Sequence, residues 1–404
     1  IKKCRNKNIF FTNEVNKSIA EADMVFLAVN TPTKSKGIGA GQASDLKWIE
    51  ASARQVANHA VGNTIVVEKS TLPVRTAETI KQILNFSTKV NDSGKEEKSF
   101  SVLSNPEFLS EGTAINDLEN PDRILIGGDD LSAIESLANI YKKWVDEDKI
   151  IRTNLWSSEL SKLTANAFLA QRISSINSIA ALCESTGANV NEVSKAIGLD
   201  SRIGDKFLNP GPGFGGSCFK KDILNLVYLC NFHGLNEVAN YWKGVLDINK
   251  WTQERISREI VYKLFGTVSG KKIAILGFAF KANTNDTRES SAIKICKNLI
   301  EDGAFLSIYD PKVQKDQIEK DLELESKDDP IISSWSYAES IYKAAENSDA
   351  LVILTEWKEF KFIEWKTIHK IMRSPSWLID TRNISNYNEA LSYGIKVWRV
   401  GIDI

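Results

Sequence analysis

The chain has 404 residues, and the 42% that are apolar suffice for two or three domains with substantial cores. Its 51 basic and 52 acidic residues leave a formal net charge of −1, so no overall field favours nucleic acid or an anionic membrane as a partner. No apolar run approaches the length of a membrane span and no signal peptide is visible, so we expect a soluble protein without a membrane partner.

Five cysteines are scattered along the chain, and no two of them form a C-x-x-C pair. An odd, dispersed set of this kind is typical of a reducing compartment and argues against a disulfide framework, so we expect a cytoplasmic protein. The three histidines are far apart and match no metal-ligand spacing. We therefore expect no metal site.

Short apolar strands alternate with amphipathic helices at the start of the chain. The predicted strands cover 24–29, 64–67, 101–103 and 123–126, and the predicted helices cover 45–59, 76–84 and 132–145. This alternation predicts a parallel, doubly wound α/β sheet. The polar stretch 91–98 has no apolar face to bury and is predicted to be a surface loop.

Polar residues follow the ends of two of these strands, at 68–71 and at 105–112. Open α/β sheets bind their ligands at the carboxyl ends of their strands. Thr71 is therefore a candidate to hold water or a ribose hydroxyl. Glu107 is a candidate acid or base, although carboxylates in loops are more often plain solubilising residues.

Two long helices without intervening strands are predicted at 156–185 and 236–265, and they indicate a central helical domain. The second helix carries Tyr241, Trp242 and Trp251. These side chains either form a dimer seam or cover the helices' own core, and the sequence leaves both interpretations open.

Lys162 and Asn166 are one turn apart on the first of these helices and share a face. A cation and an amide donor together can stabilise an oxyanion, although such a pair is usually part of a solvated helix surface.

Cys218 lies in the glycine-rich run Gly213-Phe214-Gly215-Gly216-Ser217-Cys218. The glycines allow backbone and ligand to come close, so the thiol is predicted to be reachable, whereas most free cysteines are small core residues. If Cys218 opens a helix, Asp222 sits one turn above the sulfur and the helix N–H groups lower the thiol pKa. The pattern predicts a nucleophilic thiolate.

A second α/β region follows the helices. Its predicted strands cover 271–277, 305–309, 350–355, 377–380 and 395–399, and its first helix covers 290–302. The first two strands and that helix form one βαβ mononucleotide-binding half. The turn after the first strand lacks the G-x-G-x-x-G spacing of a dinucleotide fingerprint, but Gly277 with Lys281 and Arg288 suits a phosphate or diphosphate.

Six short sequence motifs follow one another along this chain. They are VNTPT at 29–33, EKST at 68–71, SNPEF at 104–108, SELSK at 158–162 with AN at 165–166, the loop 213–222 and the segment 277–290. In this order they resemble the UDP-glucose dehydrogenases of the nucleotide-sugar dehydrogenase family, over nearly the whole chain. The cysteine loop together with the Asn-Pro-Glu run is the most specific part of the resemblance.

The resemblance implies an α/β protein with two Rossmann-like doubly wound domains joined by a central helical domain. It implies an NAD-binding domain at 1–152 that is incomplete at its N-terminus, a helical dimerisation domain at 153–266 and a UDP-sugar-binding domain at 267–404. The implied reaction is the NAD-dependent four-electron oxidation of UDP-glucose to UDP-glucuronate through a thiohemiacetal and a thioester on the cysteine. The implied assembly is a homodimer or a larger homo-oligomer such as a hexamer.

The resemblance also assigns residue roles. The implied catalytic set is Cys218, Lys162, Asn166, Asp222, Glu107 and Thr71. NAD would contact Val29, Asn30, Thr31, Ser70, Thr71, Glu111 and Arg288. The substrate would contact Glu107, Phe108, Leu109, Lys162, Asn166, Arg202, Phe207, Phe214, Gly215, Phe280, Lys281 and Arg382, with Arg202 reaching across a subunit boundary. Lys162 and Asn166 would stabilise anionic intermediates, and Asp222 with Thr71 would position water.

Two other functions stay open at this stage. One is a sister dehydrogenase acting on GDP-mannose or UDP-N-acetylmannosamine, and the other is a non-catalytic protein that binds sugar nucleotides. Ile1 falls after the family's first βαβ turn, whose glycine-rich loop and acidic residue hold the cofactor's pyrophosphate and ribose. We therefore expect residues 1–404 alone to bind UDP-glucose but to hold NAD+ hardly at all.

Overall fold

The structure is a computed structural model that describes residues 1–89, 98–322 and 334–402. Its residue contacts divide it into two compact units. The first unit comprises Ile1–Ala165 and Leu224–His233, and the second comprises Asn166–Ile223 and Gly234–Ile404. The three-domain division stays a prediction. The loop predicted at 91–98 lies, except for its last residue, outside the described residues.

The first unit contains one five-stranded sheet. Its strands are β1 (Met24–Leu27), β2 (Asn63–Glu68), β3 (Ser99–Ser104), β4 (Ile124–Gly127) and β5 (Ile150–Thr153). Its helices before α6 are α1 (Val15–Ala20), α2 (Lys47–His59), α3 (Thr76–Lys89), α4 (Ala114–Glu119) and α5 (Leu131–Tyr141). The strands and helices that the sequence predicted here are confirmed, while the short elements α1, α4 and β5 were missed.

The strands of this sheet follow the order β1-β2-β3-β4-β5, with β1 at one edge. All neighbours are parallel except β3 and β4, which pair antiparallel where Ser104 faces Gly127. The fully parallel arrangement expected from the sequence is therefore wrong at this one pair. A parallel return needs a crossover that spans the sheet, and the six-residue α4 is the only helix between these two strands.

Four helices follow the first sheet. They are α6 (Leu155–Thr186), α7 (Val190–Gly198), α8 (Phe219–Phe232) and α9 (Asn236–Lys263). The two long helices predicted at 156–185 and 236–265 are confirmed to within two residues. None of the helices in the described residues is long and apolar enough to cross a membrane.

The second unit contains a six-stranded parallel sheet. Its strands are β6 (Lys272–Leu276), β7 (Phe305–Tyr309), β8 (Trp335–Tyr337), β9 (Ala350–Ile353), β10 (Trp377–Asp380) and β11 (Lys396–Arg399). Its remaining helices are α10 (Ser291–Glu301), α11 (Lys315–Leu322), α12 (Ile341–Ala345), α13 (Trp365–Ile371) and α14 (Tyr387–Ser392). The strand order β8-β7-β6-β9-β10-β11 reverses between β6 and β9, which is the doubly wound order that the sequence predicted.

The two central strands of this sheet, β6 and β9, are buried on both faces, as a parallel sheet covered by helices requires. The carboxyl ends of such strands form the edge at which ligands bind. The predicted α/β class, with two sheets and a helical region, is confirmed.

Candidate active site

Cys218 is exposed and lies directly before helix α8. Its carbonyl oxygen accepts the N–H of Asp222 at 2.8 Å, so the cysteine opens the helix as predicted. Its Sγ lies 3.5 Å from the Ser217 hydroxyl oxygen. The alternative that Cys218 is a core residue is wrong, because its side chain is accessible. Its role as a nucleophile stays a prediction.

The two glycines before the thiol pack against the turn that follows β6. A Cβ at Gly215 would lie 2.5 Å from the Glu289 carbonyl oxygen and 2.9 Å from Phe280 Cβ. A Cβ at Gly216, whose φ is +85°, would lie 3.0 Å from the Phe280 ring. The Gly216 N–H donates to the carbonyl oxygen of Arg288 at 2.8 Å. Only glycine fits this close packing without strain, so these contacts fix the backbone of the cysteine loop.

Asp222, one turn after Cys218, is buried and accepts a hydrogen bond from Asn166 of α6, with 2.6 Å between Nδ2 and Oδ2. Asn166 is itself only 7% exposed, so the alternative of a solvated helix surface is wrong for it. One of the two N–H groups of its amide is engaged by Asp222. The predicted roles of Asn166 at an oxyanion and of Asp222 with water stay predictions.

In the first unit, Lys162 of α6 is only 4% exposed, so it is not part of a solvated helix surface either. Its ammonium lies 3.4 Å from Glu107 Oε1 and 5.2 Å from the centre of the Phe108 ring. The second Glu107 oxygen accepts the N–H of Leu109 at 2.6 Å. Glu107 is thus held at both oxygens, unlike a plain solubilising carboxylate. Four of the predicted substrate residues come together here, beside a cavity of about 280 Å³.

Lys69 joins this cluster, although the sequence pattern did not point to it. Its ammonium donates to Asn105 Oδ1 at 2.9 Å and to the Tyr141 hydroxyl at 3.1 Å. Burial lowers the pKa of Lys69 to about 8, with the carboxylate of Glu107 opposing this shift and the charge of Lys162 adding to it. The available signal was its place directly after β2, at the edge where ligands bind.

Two buried carboxyl groups were also missed. Glu68 is 1% exposed and Glu159 is 3% exposed. Glu159 accepts the N–H groups of Arg75 at 2.7 Å and of Ala77 at 2.8 Å at the start of α3. Burial raises the pKa of Glu68, and the neighbouring Glu159 raises it further; burial also raises the pKa of Glu159, to about 7. At neutral pH the pair therefore retains a proton.

The residues predicted to contact NAD in the first unit group at the ends of β1 and β2. The Ser70 hydroxyl donates to the Val29 carbonyl oxygen at 2.6 Å, and the Thr31 hydroxyl donates to the Thr71 carbonyl oxygen at 3.0 Å. Asn30 lies between Val29 and Thr31 in the chain. These hydrogen bonds join the segments after β1 and β2 into one polar edge at the carboxyl ends of parallel strands. The edge fits a nicotinamide nucleotide by position and by hydrogen-bonding capacity.

Glu111 and Arg288 are the other two predicted NAD contacts. Glu111 lies in the turn that precedes α4. Arg288 belongs to the second unit, where both carboxylate oxygens of Asp286 accept from its Nε at 2.9 Å. The predicted contact of Arg288 with NAD stays a prediction.

Three predicted substrate residues come together in the second unit. The Arg382 guanidinium donates to the carbonyl oxygens of Leu354 at 2.8 Å and of Phe280 at 3.4 Å. The Lys281 ammonium lies 5.5 Å from the centre of the Phe280 ring. Two cations and an aromatic ring at a strand end suit a nucleoside diphosphate.

Two further aromatic residues of the predicted site pack on Phe219, with ring centroids 5.8 Å away for Phe214 and 6.5 Å away for Phe207. Arg202 is exposed, with its guanidinium paired to Asp200 at 2.6 Å. Its predicted reach into a neighbouring subunit stays a prediction. In the described part of the chain, no group of three or more His, Cys, Asp or Glu could hold a metal ion.

Three family models match successive parts of the chain. They describe the UDP-glucose/GDP-mannose dehydrogenase family, with its NAD binding domain at residues 1–145, its central domain at 156–251 and its UDP binding domain at 274–387.

Curated relatives match almost the whole chain. It is 53% identical over 409 residues to UDP-glucose 6-dehydrogenase of Bos taurus, and the alignment covers 99% of this chain and 82% of the bovine protein. It is 52% identical over 416 residues to UDP-glucose 6-dehydrogenase 4 of Arabidopsis thaliana, covering 99% of this chain and 85% of that protein.

A solved UDP-glucose dehydrogenase from Pyrobaculum islandicum superimposes with a TM-score of 0.80 at 30% identity, covering 98% of this chain and 83% of that chain. A UDP-D-ManNAc dehydrogenase from Pyrococcus horikoshii gives a TM-score of 0.76 at 27% identity, covering 96% of this chain and 82% of that chain.

Proposed function

The chain belongs to the UDP-glucose/GDP-mannose dehydrogenase family, and we propose that it oxidises UDP-glucose to UDP-glucuronate through a covalent intermediate on Cys218. It is an NAD-dependent oxidoreductase whose curated relatives are UDP-glucose 6-dehydrogenases at 51–53% identity. One observation supports the covalent route above the others. Cys218 is an exposed thiol at a helix start, and glycines that have no room for a side chain hold its loop.

The proposed chemistry proceeds in two oxidations and one hydrolysis. The C6 alcohol of the sugar loses a proton and a hydride and becomes an aldehyde. The Cys218 thiolate then adds to the aldehyde carbon, a C–S bond forms, and the oxygen takes up a proton to give a thiohemiacetal. The thiohemiacetal then loses the proton of its hydroxyl group and the hydride of its carbon, which gives a thioester. Water attacks that carbon, the C–S bond breaks, and the carboxylate, the free thiol and one proton are released.

The chemistry that NAD supplies when bound is the acceptance of one hydride in each oxidation. The residues suited to hold it lie at the hydrogen-bonded edge after β1 and β2 of the first unit, namely Val29, Asn30, Thr31, Ser70 and Thr71. The protein's own task there is to present hydroxyl groups and backbone polar groups in fixed positions. Ser70 and Thr31 do so because their hydroxyls are already tied to neighbouring carbonyl oxygens.

The proposed roles of the remaining catalytic residues follow from their contacts. In the first unit, Lys162 is a buried cation beside Glu107, which suits stabilising an alkoxide and passing on its proton. In the second unit, Asp222 is a buried carboxyl group one turn from the thiol, held by Asn166, which suits orienting the hydrolytic water.

We further propose that the protein is a cytoplasmic homo-oligomer, at least a dimer. All five cysteines are free, and one of them is the proposed nucleophile, which a reducing compartment protects. On the helices of the second unit, Phe168 and Tyr241 are 55% and 58% exposed and both rings lie within 5.5 Å of the Trp242 ring. Such an exposed aromatic cluster suits a subunit contact, and light scattering at assay concentration would test it.

The test of the substrate is NADH production by the full-length protein with a panel of nucleotide sugars. We expect UDP-glucose to be the best substrate and to yield two NADH for each molecule consumed. A higher kcat/KM with GDP-mannose or UDP-N-acetylmannosamine would make the protein a sister dehydrogenase. If no nucleotide sugar yields NADH but nucleotide sugars bind measurably, the protein is a non-catalytic protein that binds sugar nucleotides.

A further inference from the structure

Asp310 follows β7 at the place where a dinucleotide-binding βαβ unit carries the acidic residue that binds ribose. In this chain it is only 2% exposed. Its Oδ2 accepts the N–H groups of Phe278 at 2.7 Å and of Ala279 at 3.0 Å, and the indole N–H of Trp357 at 3.1 Å. The first two donors belong to the turn after β6, where a dinucleotide-binding unit would hold a diphosphate.

The other carboxylate oxygen is also fully used. Asp310 Oδ1 accepts the N–H groups of Lys312 at 2.8 Å and of Val313 at 3.0 Å. Five donors thus surround two oxygens, which is about the acceptor capacity of a carboxylate, so no capacity is left for a ribose hydroxyl. Asp310 therefore acts by holding the backbone of the turn after β6 and not by binding a ligand.

The turn held by Asp310 is tied down on its carbonyl side as well. The Thr355 hydroxyl donates to the Ala279 carbonyl oxygen at 2.6 Å, and the Ser290 hydroxyl donates to the Phe278 carbonyl oxygen at 2.8 Å. The N–H and carbonyl groups of two consecutive residues are thus fixed. The position of the next residue, Phe280, follows from them.

Phe280 in turn supports the loop that carries the thiol. A Cβ at Gly215 would lie 2.9 Å from Phe280 Cβ and one at Gly216 would lie 3.0 Å from the Phe280 ring, so Phe280 packs closely on both glycines. Cys218 follows Gly216 by two residues. A continuous path of contacts within the second unit therefore joins the Asp310 carboxylate to the cysteine loop.

We propose that Asp310 is a positioning residue for the reaction: it holds the turn at Phe278 and Ala279, and thereby fixes Phe280 as the support for the Cys218 loop. The proposal rests on the proposed function only in taking Cys218 as the nucleophile. The path of contacts from Asp310 through Phe280 to the Cys218 loop lies within the second unit and does not depend on that assumption.

The test compares Asp310→Asn with Asp349→Asn by hydrogen exchange and mass spectrometry. Asp349 is the matched control, because it too is a carboxylate that accepts a backbone N–H, that of Lys272 at 3.0 Å, but at the opposite end of β6. We expect Asp310→Asn to speed exchange in the peptide 213–219, which contains the bonded Gly216 N–H, by roughly tenfold or more. Asp349→Asn should leave that peptide unchanged.

Unchanged exchange at 213–219 in Asp310→Asn, or equal acceleration in both variants, would overturn the proposal, since the second result indicates general loosening. If Asp310→Asn does not fold, Thr355→Val gives a milder change in the same turn and should speed the same peptide by a smaller factor. For folded Asp310→Asn we also expect kcat to fall while Asp349→Asn keeps it. Faster exchange at 213–219 with an unchanged kcat would overturn the positioning role of Asp310, whereas normal turnover by Cys218→Ser would overturn the proposed function, so the two failures are distinguishable.

Discussion

The carboxyl ends of the two sheets carry buried acidic residues that serve opposite purposes. Glu68, the last residue of β2, has one oxygen with no hydrogen-bond partner among the described residues, and burial raises the pKa of this carboxyl group. Asp310, directly after β7, is equally buried but accepts five hydrogen bonds. The supply of N–H donors, and not the place in the fold, therefore decides whether a buried carboxyl group at this edge holds the backbone.

The neighbours of the two acids extend this contrast. Beside Glu68, Lys69 has a pKa of about 8 and Glu159 one of about 7, both displaced by burial, so the first edge changes its protonation near neutral pH. Beside Asp310, the groups that matter are backbone N–H groups, an indole and hydroxyls, which do not titrate in that range. The first edge therefore carries groups that titrate near neutral pH, and the second carries hydrogen bonds that hold the turn after β6.

The largest effect is expected at the thiol that the second edge supports. Cys218→Ser should abolish NADH formation while leaving UDP-glucose binding nearly intact, because an alcohol at this site is a far weaker nucleophile than a thiolate. The measurement is NADH absorbance together with calorimetric binding of UDP-glucose. Cys4→Ser is the control, since that cysteine lies outside the site, and it should keep full activity. Normal turnover by Cys218→Ser would remove the covalent mechanism.

The next effect compares one proposed catalytic residue from each unit. Lys162→Ala and Asn166→Ala should each raise the reaction barrier by about 2–4 kcal/mol with a smaller change in substrate binding, since both are proposed to act on an oxyanion. Steady-state kinetics separates kcat from KM for the two variants. The exposed Lys47→Ala serves as a control with no expected effect. If only KM changes, the pair belongs to substrate binding.

A third prediction concerns the packing of the cysteine loop. Gly215→Ala places a methyl group 2.5 Å from the Glu289 carbonyl oxygen and should lower the free energy of unfolding by about 1–3 kcal/mol. Gly244→Ala, in helix α9, has no atom within 4 Å of the new methyl group and should raise the free energy of unfolding slightly. Urea unfolding of both variants decides the matter. Equal stability of the two would contradict the close packing on Phe280.

The smallest effect is a pH dependence of the first unit. The raised pKa values of Glu68 and Glu159 mean that the folded protein binds a proton more tightly than the unfolded chain, so stability is lost as pH rises from about 4.5 through 7. The loss should be on the order of 1–2 kcal/mol. Glu68→Gln mimics the protonated acid and should reduce the loss between pH 5 and pH 8.

Urea unfolding at these two pH values measures the change, with Glu135→Gln as a control whose exposed carboxyl group has a lowered pKa and does not titrate in this window. The same slope in wild type and Glu68→Gln would show that the buried pair is not protonated in the folded protein.

The sequence predicted the regular elements well where hydrophobic patterning is strong and local. The strands β7 and β10 begin and end where the pattern places them, and the doubly wound order of the second sheet follows from their alternation with helices. The antiparallel meeting of β3 and β4 was missed because strand direction depends on the path of the connecting segment, which leaves no periodic signal.

The candidate site was predicted in its residue types but not in its electrostatics. The local pattern singled out Cys218 and Lys162, the resemblance gave them roles in one reaction, and the structure shows Cys218 exposed and Lys162 buried. The pairing of Glu68 with Glu159 joins residues 91 positions apart, and the donors around Asp310 come from three separate segments. Contacts of such long range carry no local signature, so only the folded chain shows them.

The most direct test of the central claim is rapid-quench mass spectrometry of the full-length protein during turnover of UDP-glucose with NAD+. Acid quenching preserves a thioester, and proteolysis then isolates the peptide that contains Cys218. The account predicts that this peptide carries the uronyl group of the substrate, that the adduct forms and decays within one turnover, and that Cys218→Ser never shows it. Turnover to UDP-glucuronate with an unmodified Cys218 peptide at every quench time would contradict the account.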